Sequence, residues 1–434
     1  MILPLFAGLA LSLPFLSNYL WFFLFIGLFF LLQIRSYFGF LLAGFWFFVF
    51  SLNCSYLPAV KYGGISPILF VLLFVLLCIF LSIYQFGLAR VFGPKIAILI
   101  LPLSELFRSY FPYGGFPWLI FGKIVANIPL FKHSLLYAGV YVQSLFVVSL
   151  VYLVNRGRFK SALMLVFFMS GLSMLAIFEK SLNQLATKEL KIAIVQPAVF
   201  QPLRIDMQAY RRESFKTIEL IESAVETDAD IVFLPESSLS SYFSDEDDLQ
   251  IQSIYQLSLK KPIVIGLIDI REGKRPYNSA YLFHQGKAID SYDKVMLMPI
   301  GEFLPPPFEF LKDTFSIIGG LDYYRGNNIK PLSLNSLRVA TPICFEVAHQ
   351  SLVRELSTKA HFVAVLTNDG WFDDSACTRQ HILWAKVRAL ELGKNVLWVN
   401  NNGFSGYINP MGRFSRSLSY MEKGIIILTL SIPK

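Results

Sequence analysis

LRVATPICFEVAH, Leu337 to His349, reads as a strand that runs apolar into Cys344 and then breaks into a helix beginning near Ala348. The thiol is thereby left at the C-terminal end of the strand, where open α/β sheets place their chemistry. A lone Cys on an apolar strand is ordinarily a buried structural residue, so the rest of the chain has to supply its partners.

Outward from that stretch, everything after Lys188 alternates strand and helix patterns, which suits one α/β domain. LKIAIVQP (190 to 197) is a short apolar strand, and Met207 to Asp228 is a helix with Phe215, Ile218, Ile221 and Val225 on one face. ADIVFLPE (229 to 236) is a strand that meets a Pro and then Glu236. PIVIGLIDI (262 to 270), SAYLFH (279 to 284) and AIDSYDKVMLMPIGEFLPPP follow, the last carrying Lys294 and Glu302. Beyond Cys344 come HFVAVLTND (361 to 369), a helix from about Thr378 to Gly393, NVLWVNNNG (395 to 403), a hairpin around NPMG and the last strand, GIIILTLSI. No repeat, low-complexity tract or nucleotide-binding glycine fingerprint interrupts the series.

Three residue types therefore stand at corresponding places: Glu236 just past a strand, Lys294 at a strand end and Cys344 at a strand-to-helix break. Singly, each has a bland explanation as a loop, surface or core residue. Jointly, with FLPE around Glu236, YDKVML around Lys294 and ICFE around Cys344, the chain resembles the nitrilase superfamily, whose domains carry a Glu, Lys, Cys triad in that order on an α-β-β-α sandwich. Within it the chain is most similar to the bacterial apolipoprotein N-acyltransferase family. MPIGEFLPP resembles that family's P-F-G-E-x-x-P element and NDGWF its N-D-x-W-F element, and QHILWAKVRALELG, NNNGFSG and ELFRSYFPYGGFPW look similar too.

The chemistry accounts for these residue types. A neutral thiol is a poor nucleophile near pH 7, so Cys344 needs a base, and the Glu236 carboxylate can take its proton and later return it to a leaving group. Attack on an ester puts charge on oxygen; the resemblance places the Lys294 ammonium and the backbone N–H of Phe345 against it. By the same resemblance Glu302 lies in the active site, orienting Lys294 or handling the incoming amine, and Phe345 and Glu346 form an aromatic-acidic pair that matters in a later step. Trp371 and Phe372 are expected to line the acyl or head-group approach, with core packing as the alternative. The implied reaction is ping-pong: Cys344 takes a fatty acyl chain from a phospholipid as a thioester, and the N-terminal α-amino group of a diacylglyceryl-cysteine lipoprotein attacks to form an amide, with no cofactor.

The first half explains why such a site would meet lipids. With 434 residues, 55% hydrophobic, only 16% charged and 42 Phe, part of the chain must sit in lipid. Seven apolar spans are expected, near 2 to 17, 20 to 34, 38 to 52, 67 to 86, 94 to 110, 135 to 154 and 161 to 179, several of them shorter than the ~20 residues that cross a bilayer. This divides the chain into a transmembrane helical domain (1 to 185) and a nitrilase-like catalytic domain (186 to 434). A cytoplasmic N-terminus puts Arg35, then Arg90 and Lys95, then Arg156, Arg158 and Lys160 in cytoplasmic loops and everything after Lys180 outside. The expectation is a multi-pass protein of the bacterial inner membrane, its catalytic domain periplasmic, acting as a monomer.

Glu105 and Arg108, at i,i+3 spacing, close the fifth span as either a functional pair or a helix-end ion pair beside an aromatic loop that ends in Trp118, a further candidate substrate contact. In EFLPPPFEFLKDTFSIIGG (302 to 320), Phe303, Phe308, Phe310, Phe315 and Ile317 are available to dip toward acyl chains, Phe308 and Phe310 above all. The formal charge of +8 comes from scattered Lys and Arg with no basic stripe, so nucleic acid is not an expected partner. Four Cys without a C-x-x-C pair exclude a disulfide mesh but leave a Cys344 to Cys377 bridge open, and five His without ligand spacing argue against a metal site. Two departures from the family stand out: the chain ends at Lys434 directly after the last strand, where many members carry a further span, and Ile205 stands about where members commonly show Trp. A membrane-anchored amidase, with water resolving the thioester, is the alternative enzyme. A transporter or scaffold with a degenerate domain is the non-enzyme alternative, disfavoured by the complete triad.

Overall fold

The computed structural model describes residues 2–93, 96–183, 187–271, 275–306 and 322–433. By internal packing the chain divides into two units. One comprises residues 1–60, 65–180 and 375–393; the other comprises 61–64, 181–374 and 394–434. Two short pieces are thus exchanged relative to a division by sequence order. The end of a helix in the N-terminal half, with the two residues after it, joins the sheet-bearing unit, and a helix of the C-terminal half joins the helical one.

Each of the seven expected apolar spans is helical over most of its length. Among the described residues, four helices are long and apolar enough to cross a membrane: Tyr37–Tyr62, Pro67–Val91, Lys132–Asn155 and Phe159–Leu182. Ile2–Leu16 and Phe23–Gln33 are shorter apolar helices, and Ala97–Arg108, of 12 residues, is also short. Caps mark where these helices begin. Ser36 Oγ accepts from Gly39 N at 3.0 Å, and Ser66 Oγ accepts from Leu69 N just ahead of Pro67. The helix Leu135–Asn155 is kinked at Gly139 (φ 65°), and the Val140 N–H freed there donates to Glu391 Oε1 at 2.7 Å.

Glu391 belongs to the exchanged helix Ala376–Leu392, which Gly393 ends in the left-handed conformation. Its first turn carries Cys377, which forms a disulfide with Cys54. The bridge left open between Cys344 and Cys377 is therefore not made, and Cys344 keeps its thiol outside the disulfide. Farther along, Gln380 donates to the Ser51 carbonyl.

Among the described residues of the sheet-bearing unit, twelve strands form two six-stranded sheets. The first holds β1 (Thr187–Gln196), β2 (Ile231–Phe233), β3 (Ile263–Ile270), β4 (Pro276–His284), β5 (Lys287–Asp293) and β12 (Gly424–Pro433), in the order β12-β1-β2-β3-β4-β5. The second holds β6 (Leu332–Leu334), β7 (Leu337–Ala340), β8 (Phe362–Thr367), β9 (Val396–Asn400), β10 (Ser405–Ile408) and β11 (Phe414–Leu418), in the order β11-β10-β9-β8-β7-β6. Strands β1, β2 and β3 run parallel, as do β7, β8 and β9, with antiparallel strands outside them.

Strand alternation decides the layering. Val232, Leu234, Ile263, Ile265 and Leu267 face Ile218, Ile221 and Val225 of the helix Met207–Val225 and Ile251 and Ile254 of the helix Leu249–Leu257. Phe233, one residue out of phase, instead meets Phe362 of the second sheet edge-on at 6.0 Å. This is the nitrilase-like arrangement of two mixed sheets.

Candidate active site

Cys344 lies beyond β7, which ends at Ala340, four residues before the expected strand end. Ile343 still bridges Leu366 of β8, and Cys344 then opens a short 3-10 helix with φ 52°; the following α-helix starts at Gln350 rather than near Ala348. Left-handed backbone at a non-glycine residue costs energy and concentrates at functional sites. Here it turns the chain directly at the thiol.

Glu236 follows β2, and its approach depends on Gly266. A Cβ at that position would lie 2.6 Å from the Pro235 carbonyl oxygen and 2.7 Å from Glu236 Cα, so only glycine lets β3 pass this close. Lys294 follows β5 and is pinned through its backbone, its N–H donating to the Asn278 carbonyl and its own carbonyl accepting from Gly326 N.

The side chains converge. Lys294, 1% exposed, places Nζ 2.8 Å from Glu302 Oε1 and 3.4 Å from Glu236 Oε1. Asn278 Nδ2 donates to the same two oxygens, at 2.7 Å to Glu236 and 3.0 Å to Glu302. Glu302 Oε2 accepts from Met298 N. One ammonium and one amide thus hold two carboxylates, buried Glu236 and half-buried Glu302, that would otherwise repel. Burial works against the Lys294 ammonium, but Glu302 and Glu236 outweigh it and keep Lys294 well above the ordinary lysine value. Burial and the Glu236 charge push the Cys344 thiol well above its usual value, while Lys294 pulls it back. The thiol is therefore neutral until a base removes its proton.

Glu346 turns its side chain away from this cluster into the backbone. Its Oε1 accepts from Val295 N (2.7 Å) and Met296 N (3.0 Å), its Oε2 accepts from Ile343 N (2.8 Å), and the Tyr292 hydroxyl donates to the carboxylate. The carboxylate ties the turn bearing Lys294 to the turn bearing Cys344. Burial pushes its carboxyl up to about 7 despite those N–H groups. Phe345 is buried with its ring edge-on to His349 at 5.0 Å.

Trp371 and Phe372 are half-buried in the same unit, in the turn after β8. Asp369 at the start of that turn exchanges two hydrogen bonds with Asn400, and its charge reaches Cys344. Phe308 and Phe310, with the rest of residues 307–321, lie outside the described residues, as does the side chain of Ile205.

Trp118 belongs to the helical unit and is 6% exposed. Its indole N–H donates to Gln380 Oε1 at 2.7 Å, and its carbonyl accepts from Lys123 Nζ and Trp384 Nε1. These bonds anchor the aromatic loop. Glu105 and Arg108 serve the same loop rather than pairing with each other. Arg108 donates to the Phe116 and Leu119 carbonyls, and Glu105 accepts from Phe121 N.

Sequence reasoning missed Asn278 and Tyr292. Asn278 leaves one signal, a polar side chain that is buried within the mostly buried strand β4.

The carbon-nitrogen hydrolase family model matches residues 191–434, and the model of the apolipoprotein N-acyltransferase N-terminal domain matches residues 7–153. An apolipoprotein N-acyltransferase of Aquifex aeolicus is 38% identical over 98% of this chain and 97% of its own length. The chain belongs to the apolipoprotein N-acyltransferase family. A second apolipoprotein N-acyltransferase, from Agrobacterium fabrum, is 28% identical over 91% of this chain and 78% of its own length. Among solved structures, the Nesterenkonia AN1 amidase of the nitrilase superfamily is 17% identical, with 56% of this chain and 90% of that chain covered at a TM-score of 0.42. In this apolipoprotein N-acyltransferase family member, Glu236 and Lys294 stand 3.4 Å apart and the charges of both reach the Cys344 thiol.

Proposed function

We propose that the protein transfers a fatty acyl chain from a phospholipid, through a thioester on Cys344, to the N-terminal α-amino group of a diacylglyceryl-cysteine lipoprotein. The observation that carries this reading is the convergence of buried Glu236 and Lys294 with half-buried Cys344, in a chain whose helical half matches the apolipoprotein N-acyltransferase N-terminal domain. A plain amidase has no use for that half.

Glu236 removes the Cys344 proton as sulfur attacks the ester carbonyl. The Lys294 ammonium and the Phe345 N–H take up the charge on oxygen. Collapse expels the lysophospholipid alkoxide, which takes the proton from Glu236. The acceptor amine then attacks the thioester and loses a proton to Glu236, and the departing thiolate recovers it. Glu302 and Asn278 keep Lys294 and Glu236 in register through both steps. An ester and an amine become an alcohol and an amide, with no net change in protons.

The same reading places the protein in the bacterial inner membrane with the site on the periplasmic side. Arg35, Arg90 and Arg156, at or beside the ends of their helices, suit a cytoplasmic face. The Cys54–Cys377 disulfide suits an oxidising compartment for the opposite face.

The test is to incubate the purified protein with phospholipid and follow the Cys344 peptide by mass spectrometry. A hydroxylamine-labile acyl adduct, discharged by a diacylglyceryl-cysteine peptide, is the expected result. No adduct, or discharge by water at the same rate, overturns the proposal. Cys344→Ser should abolish transfer in a protein that still folds in the membrane.

A further inference from the structure

Lys61–Gly64 is the piece of the N-terminal half that belongs to the catalytic unit, and it meets Asp373, one residue beyond the Trp371–Phe372 pair. The Asp373 carboxylate accepts from Lys61 Nζ at 2.5 Å, from the Tyr62 hydroxyl, and from the Tyr420 hydroxyl at 2.8 Å. The Tyr62 ring stands edge-on to Trp371 at 6.3 Å. Three donors from two distant parts of the chain converge on one carboxylate in a surface turn, and Asp373 takes a left-handed backbone (φ 50°) to receive them.

The other end of the turn is held independently. Asn368 Oδ1 accepts from Gly370 N and from Asn401 Nδ2, and Asp369 is locked to Asn400. Trp371 and Phe372 are thus suspended between two anchors, two and three residues from an Asp whose charge reaches the nucleophile. Packing alone does not call for such a clamp on two half-buried aromatics, whereas orienting a substrate beside Cys344 does.

Resting on the acyl-transfer reading, we propose that Lys61, Tyr62 and Tyr420 act through Asp373 as positioning residues that fix Trp371 and Phe372 as the aromatic wall orienting the phospholipid acyl donor. None of the four groups reaches the reacting atoms in this role. Their loss weakens donor saturation and leaves the chemistry of Cys344 in place.

The experiment measures the first half-reaction on the full-length protein in detergent micelles, with a synthetic diacyl glycerophospholipid carrying a fluorescent acyl chain. Thioester formation is followed against donor concentration. Asp373→Asn tolerates the left-handed backbone but removes the charge. It should raise the half-saturating donor concentration about threefold to tenfold while changing the maximal acylation rate by less than about twofold. Tyr62→Phe and Tyr420→Phe each keep the ring and should show the same split to a smaller extent, and Lys61→Arg should restore most of what Lys61→Met loses. Unchanged half-saturation in Asp373→Asn and Tyr420→Phe beside a normally acylating wild type overturns this inference alone. A fall in maximal rate at unchanged half-saturation overturns it as well. A wild type that forms no adduct instead overturns the acyl-transfer reading beneath it.

Discussion

Replacing Glu346 by Gln separates what this carboxylate does for stability from what it does for the site. The carboxyl rises from an ordinary 4.5 to about 7 because it is buried. That difference corresponds to about 3 kcal/mol between its protonated and ionised forms. The folded protein holds the proton more tightly than the unfolded chain. The stabilisation is therefore fully present below pH 4.5 and is lost as pH rises through about 7. E346Q has no proton to lose, so its stability should lack this slope. At pH 5 both side chains are neutral and nearly isosteric. By pH 8.5 the wild type should have lost on the order of 3 kcal/mol relative to E346Q, or about 6 °C or more in unfolding midpoint for a unit of this size. Activity should move the other way. The new amide turns an N–H toward the Ile343 N–H that Glu346 Oε2 now accepts, which loosens the Cys344 turn. A buried donor left unpaired costs about 1–3 kcal/mol, so acylation should fall about tenfold or more at both pH values. Thermal unfolding of both proteins in detergent at pH 5 and 8.5, with acylation rates beside it, makes the test. Parallel stability curves would refute the assignment of the raised carboxyl to Glu346.

Asn278→Leu removes the amide that bridges Glu236 and Glu302. Acyl-adduct formation should fall about tenfold to a hundredfold, as the loss of about 1–3 kcal/mol implies, while circular dichroism stays unchanged. Gly266→Ala forces a Cβ against Pro235 and Glu236 Cα. It should lower the unfolding midpoint by the equivalent of about 1–3 kcal/mol and displace the base, seen as a reduced acylation rate even where the protein remains folded. Cys377→Ser removes the disulfide to Cys54, which joins positions 323 residues apart. Stability should fall by about 2–5 kcal/mol, with the acyl adduct still forming on Cys344. An adduct lost together with the bridge would assign nucleophilic chemistry to the wrong cysteine.

Much of the fold was legible because its signals are local. The alternation in IVFLPE and VAVLT, the apolar runs of the first half, and the positions of Glu236 and Lys294 just past strand ends all follow from short-range periodicity. The left-handed turn at Cys344 was not legible, and neither was the early end of β7 at Ala340, because both are imposed by hydrogen bonds from Glu346 and by the bridge to Leu366. The same holds for Glu105 and Arg108. Their spacing suggests an ion pair, whereas the carbonyls and N–H of a loop passing beside them compete better for each group.

LRVATPICFEVAH and its counterparts around Glu236 and Lys294 were therefore enough to determine the class of fold and to bring Glu236, Lys294 and Cys344 forward as candidates, because strand period and turn chemistry are written within a few residues. The tertiary structure alone decided which groups hold them there. Asn278 across two carboxylates, Glu346 across two turns, Cys54 bonded to Cys377, and Lys61 and Tyr62 on Asp373 all join positions far apart in the chain. No local pattern specifies such pairings, since the free energy that selects them comes from burying and satisfying polar groups together, which only the folded chain can do.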